Sequence, residues 1–254
     1  MSSAMAKTVS ILVICVAAFG QGGCRATEAP TSAFDPNAEL MTKNEALPFH
    51  RSYWNKNYDA KNYTEIMIAP VNTDYLAAQS FWEKMNVANA VPGQDKKDIA
   101  AIAEYTRQSF TRAFADDPRH RFNVVNKAGP KTLILEVAIT QLVPSKAVLN
   151  AIGYITWIPT VVSMTGSVAT DSQDTGKGAI AIEGRVRDGG SGEIIGMFAD
   201  REHPSTAIID VKALNWWAPA KTIINDWAQQ LVAVANRPPG VVVKEAPAFE
   251  LLVW

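Results

Sequence analysis

Cysteine is nearly missing from this chain: 254 residues hold two, Cys15 and Cys24. No network of disulfides can staple such a fold, so its stability has to come from a packed core. Histidine is scarce as well, and His50, His120 and His203 stand far apart in sequence. None falls in a HExxH or CxxC type of spacing, and no metal site is expected. Charge of one sign is lacking too, since 24 basic side chains face 25 acidic ones. That balance supplies no net field to steer nucleic acid, and no nucleic-acid partner is expected. The densest basic group, Arg119-His120-Arg121, reads as a solvated loop. There is no GxSxG element, no glycine-rich phosphate loop before a helix and no internal repeat. No cofactor is expected.

What is present begins with composition. At 48% hydrophobic and 19% charged, the chain is a folded protein rather than a disordered one. Near the N-terminus, Lys7 precedes twelve uncharged residues, Thr8 to Phe19. At about 1.5 Å rise per residue that run falls well short of a ~30 Å hydrocarbon core. Gly20, Gln21, Gly22 and Gly23 end it. A positive start, a short apolar stretch and small residues beyond it describe a secretory signal peptide over residues 1–23. Either Met1 or Met5 serves as its start, and Lys7 survives both. Cleavage after Gly23 leaves Cys24 at the new N-terminus. This resembles the bacterial lipoprotein signal, in which the cysteine is diacylglycerol-modified, cut and then N-acylated, palmitate being a common chain. Gly22 and Gly23 fit the pattern; Gln21 stands where an aliphatic residue is usual. With Cys15 removed, Cys24 is a lone secreted thiol, a liability unless something covalently occupies it. Cys24 is therefore expected to be an acylated membrane anchor.

Residues 24–48 are polar and without strong periodicity, and read as a lipidated flexible tether. Residues 49–254 are expected to form one domain. Thr64 to Val71 predicts a strand ended by Pro70. A helix follows, capped by Asp95 or Asp98, with Ile99, Ile102, Ala103, Thr106, Phe110, Ala113 and Phe114 on one stripe. Arg121 to Asn126 and Lys131 to Val143 predict two strands joined by a turn at Gly129-Pro130. Residues 147 to 170 then run 24 positions without a charge, inside an apolar insert at about 147–176. Pro159 and several polar residues argue against a membrane span there. The segment is expected to pack an apolar face through Leu149, Ile152, Ile155, Trp157 and Ile158, on the globule, the bilayer or an envelope protein partner. Ala179 to Asp188 and Glu193 to Asp200 flank Gly-Gly-Ser-Gly, a β-hairpin in which Gly192 takes positive φ and Asp188 caps the turn. A last helix spans about 216–236, with Ile223, Trp227, Leu231 and Val234 on one face, and Pro238-Pro239-Gly240 stops it. The tail after Gly240 is expected to add a short strand or to lie on the body. The order β-α-β-β-insert-β-β-α predicts an α+β fold: an antiparallel sheet of four to five strands with two helices packed on it.

Several stretches resemble a family of bacterial lipoproteins known as domain of unknown function 3313. They are the signal with its cysteine, Phe49-His-Arg-Ser-Tyr-Trp54, Ile66-Met-Ile-Ala-Pro-Val71, Gly129 to Glu136, Ala181 to Asp188, Gly192-Glu193, Phe198-Ala-Asp-Arg201 and Trp227-Ala228. The resemblance implies an envelope lipoprotein with an α+β fold and brings no established activity.

Candidate chemistry is thin. Glu183 and Asp188 lie on one predicted strand and Asp200 on its partner, but positions five apart point to opposite faces. Glu183, Arg185 and Arg187 share a face, and alternating charges there read as a solvent side with cross-strand ion pairs. Trp54, Trp216 and Trp217 offer stacking surfaces only if exposed, and tryptophan is by default a core or rim residue. No catalytic residue is therefore assigned. The reading is a non-enzymatic binding or accessory lipoprotein of the cell envelope, at the outer membrane and facing the periplasm. Two alternatives stand beside it: an envelope hydrolase using carboxylates near Glu183 and Asp200, and a glycan-binding or small-ligand module built on the tryptophans.

Overall fold

A computed structural model describes residues 26–76, 94–143, 178–203, 217, 220–238 and 240–245. Cys24, Trp216 and the 147–170 segment lie outside the described residues. The strands are β1 (Arg51–Trp54), β2 (Glu65–Ile68), β3 (Asn123–Val124), β4 (Thr132–Val143), β5 (Ala179–Asp188) and β6 (Ile194–Glu202), with helices α1 (Gln94–Ala115) and α2 (Ala220–Ala235). Among the described residues they form one sheet of order β1-β6-β5-β4-β2-β3.

The fold is α+β, but the sheet is mixed rather than antiparallel and has six strands rather than four or five. β4, β5, β6 and β1 pair antiparallel, whereas β2 pairs parallel with both β4 and β3. The cause is α1. A helix between two strands returns the chain to the side it left, so the next strand runs the same way. The expected turn at Gly129-Pro130 therefore joins β3 and β4 without pairing them; β2 lies between. The sixth strand is β1, four residues that extend the edge beside β6.

Both helices cover one face. Ile102, Phe110, Ile224, Trp227 and Leu231 from the helices meet Ile139, Ile182 and Phe198 from the sheet in one cluster. The stripe predicted for α1 is buried at Ile102, Thr106, Phe110, Ala113 and Phe114. The helix already includes Asp95 and Asp98, so neither is its cap. α2 begins at Ala220, later than position 216, and Trp217 is buried just ahead of it. No helix among the described residues is long and apolar enough to cross a membrane.

The β5–β6 hairpin forms as its glycines predict. Asp188 Oδ1 accepts N–H bonds from Gly190 at 2.8 Å and Ser191 at 2.5 Å, and Gly192 sits at φ +77°. A Cβ at Gly192 would meet nothing within 4 Å, so any cost of a side chain there is backbone strain alone. Gly192→Val is expected to lower stability by roughly 1–3 kcal/mol, read as a shifted denaturation midpoint with unchanged slope.

The second face of the sheet carries residues 27–41. Ala26, Phe34, Ala38 and Met41 are buried, and Met197 and Ala199 form a small apolar cluster with the last two. The expectation of a flexible tether over 24–48 is corrected for the described part of it. Ala38 and Met41 pack together on the sheet, and several polar groups of the segment find partners on strands. After α2, the Val243 N–H bonds the Ala46 carbonyl, so the tail touches this same segment without adding a strand among the described residues.

Candidate functional site: a polar clasp on the N-terminal segment

Five side chains from the sheet and its edge hold residues 26–34. His50 Nε2 lies 2.8 Å from the Ala26 carbonyl. Arg201 Nη1 donates to the Thr27 carbonyl at 3.0 Å and its hydroxyl at 2.7 Å. Arg51 donates to the Ala29 carbonyl at 3.1 Å and pairs with Glu28. Glu183 accepts both the Ser32 N–H, at 2.6 Å, and its hydroxyl, at 2.7 Å. Arg185 Nη1 donates to the Phe34 carbonyl at 2.7 Å and lies 4.3 Å above the Phe34 ring. Backbone groups that leave water here need partners, and these charged side chains supply them.

The acids are distributed by strand alternation. Glu183 stands opposite Ala199 and Asp200 opposite Ile182, so the two carboxylates occupy opposite faces. Both are only 2% exposed. Glu183 thus does not lie on a solvent face, a correction to the reading of its charge alternation: residues 27–41 cover that side. Asp200 joins the helix face. Its Oδ2 accepts the Trp227 indole N–H at 2.8 Å, and its Oδ1 accepts the His50 N–H at 3.0 Å and lies 2.5 Å from His50 Nδ1. A carbonyl can only accept, so His50 Nε2 carries a proton toward Ala26. Both ring nitrogens are thereby engaged within the protein. The depression bordered by Glu28, His50, Arg51, Glu183 and Asp200 has no interior room for a water molecule.

The other predicted positions do not converge on this place. His120 sits in a turn at φ 47°, and His203 Nδ1 faces the Gly178 carbonyl at 2.6 Å. No His, Cys, Asp and Glu cluster suited to a metal occurs among the described residues. Trp217 and Trp227 are core, and Trp54 packs over Gly196, where a Cβ would enter its ring. The network of His50, Asp200 and Trp227 went unread in the sequence, although all three fall within stretches that carry the family resemblance.

Next to the clasp, Glu136 bonds both Arg185 and Arg187. Burial alone would raise its pKa, but the two guanidinium hydrogen bonds outweigh burial and hold the carboxyl below its usual value. Asp35 is the contrary case. It is 3% exposed, neither carboxyl oxygen has a hydrogen-bond partner among the described residues, and the nearest contact to Arg185 is 4.0 Å. Burial first, then the charge of Glu183, push its pKa up to about 7 against the pull of Arg185 and Arg187. An aspartate that ionises near pH 4 when free but near 7 when docked favours docking most below pH 4. That contribution is lost as pH rises through about 7. Amide exchange over residues 26–41 is therefore expected to quicken from pH 4 to 7 after correction for its intrinsic rate, and Asp35→Asn to flatten this dependence.

Among curated proteins none matches the chain. The chain is similar, at 6% sequence identity, to two crystal forms of the PelC dodecamer from Paraburkholderia phytofirmans, one of a point variant. Each match covers 71% of this chain, with 94% and 95% of the PelC chains and TM-scores of 0.37 and 0.35. Residues 37–231, which contain all six strands, α1 and most of α2, match the family described as "Protein of unknown function (DUF3313)", and the chain belongs to that family.

Proposed function

We propose that the protein is a lipid-anchored, non-enzymatic component of the bacterial cell envelope, a binding or accessory protein held through acyl chains on Cys24. The observation that carries this reading is the use made of the reactive side chains. His50, Glu183 and Arg201 bind the stretch that follows Cys24, and Asp200 binds His50 and Trp227. They fix the attachment of the body to the anchor rather than surround a substrate. Arg25 follows the cysteine where enteric lipoproteins kept at the inner membrane carry aspartate, so the outer membrane, facing the periplasm, is the proposed address. The uncharged 147–170 segment is the proposed surface for an envelope protein partner. Cys24→Ala is expected to abolish incorporation of labelled fatty acid and to move the protein from membrane to soluble envelope fractions. Two or three chains at ~0.8 kcal/mol per buried CH₂ account for stable anchoring. A mature wild-type protein that begins at another residue, without lipid, refutes the proposal.

A further inference from the structure

We infer that the end of the sheet at the Thr27–Arg201 contact is the membrane-facing surface of the folded body, and that its partner is the bilayer itself. This rests on acylation of Cys24 and goes beyond it, because an anchor alone leaves the position of the body open.

The length of chain left outside the clasp decides the point. Thr27 is tied through its carbonyl and hydroxyl to Arg201, which is 4% exposed and also donates to Gln141 at 2.9 Å. Ala26 is buried, its carbonyl taken by His50. Three residue steps separate Thr27 from Cys24, a reach of about 10 Å at full extension. A free chain over 24–48 would instead give the body a range of roughly 25–30 Å. Arg201 pairs with Ala181, so the contact lies where β4 and β6 finish and β5 begins. The hairpin at Gly189–Gly192 is at the other end of β5, about 23 Å away along the strand from Ala181 to Asp188. Membrane distance is thus set by the clasp.

The test uses acylated full-length protein in vesicles of phosphatidylethanolamine and phosphatidylglycerol that contain a headgroup spin-labelled lipid. A fluorophore is placed at Glu28→Cys or at Ser191→Cys, the thiol of Cys24 being occupied. The expected result is loss of fluorescence at position 28 and its retention at 191. A flexible Gly/Ser stretch inserted between Arg25 and Ala26 is expected to restore the signal at 28. Pro30→Cys, also exposed, supplies a second near position that keeps the Glu28–Arg51 ion pair. Loss no greater at 28 and 30 than at 191, or an insertion without effect, overturns the inference. Mass spectrometry of the Cys24 peptide from the same sample separates the two levels. A lipid-free cysteine overturns acylation and this inference together, whereas an acylated cysteine with uniform quenching overturns the inference alone.

Discussion

Trp227→Ala is expected to lower the free energy of unfolding by about 3–5 kcal/mol, near the top of the range for emptying a core site. The indole is 1% exposed and lies in the cluster that joins both helices to the sheet. Truncation removes that packing and also leaves Asp200 Oδ2 without its indole donor inside the protein. Trp227→Phe separates the two effects: it keeps most of the ring volume and loses only the N–H, for roughly 1–3 kcal/mol. Chemical denaturation measures both. A loss for the alanine variant below about 1 kcal/mol would remove Trp227 from the core.

Asp200→Ala is expected to cost a similar ~3–5 kcal/mol, through a different cause. It strands two N–H donors at once, those of the His50 backbone and the Trp227 indole, and removes the carboxylate that lies against His50 Nδ1. Breaking one side of a buried polar unit is worse than removing both sides, because the survivor stays desolvated. The double variant His50→Ala/Asp200→Ala should therefore cost less than the sum of its singles, a coupling that a denaturation cycle reads directly. Additive losses would mean that the two residues do not act as one unit. The Asp200 single variant should also quicken amide exchange at Ala26 and Thr27, since it removes what orients His50 toward that segment.

Local pattern made much of this fold legible. The α1 stripe, the β5–β6 hairpin with its positive-φ glycine and the buried Trp227 all follow from short-range spacing and turn chemistry. The parallel pairing of β2 was missed: the order of a strand, a helix and a strand implies a crossover, yet the sheet was expected to be antiparallel throughout. β1 escaped notice because four residues, Arg51 to Trp54, are too few to show alternation. The clasp was hidden for another reason. Glu183, Arg185 and Arg187 alternate as they would on a wet face, and what dries that face is a segment about 150 positions earlier. No window along the sequence contains both halves of such a contact. Residues 26–48 look polar for the same reason: many of their partners are single side chains far along the chain.

The separation of those partners also sets an order of events. When the chain emerges from its N-terminus, residues 26–34 come out first, and most of the side chains that hold them come last: Ser32 waits 151 positions for Glu183, and Thr27 waits 174 for Arg201. Closing so long a loop is entropically unrewarded until β5 and β6 exist to repay it. Residues 26–34 therefore stay open throughout synthesis, and shut onto the body only when the last strands fold.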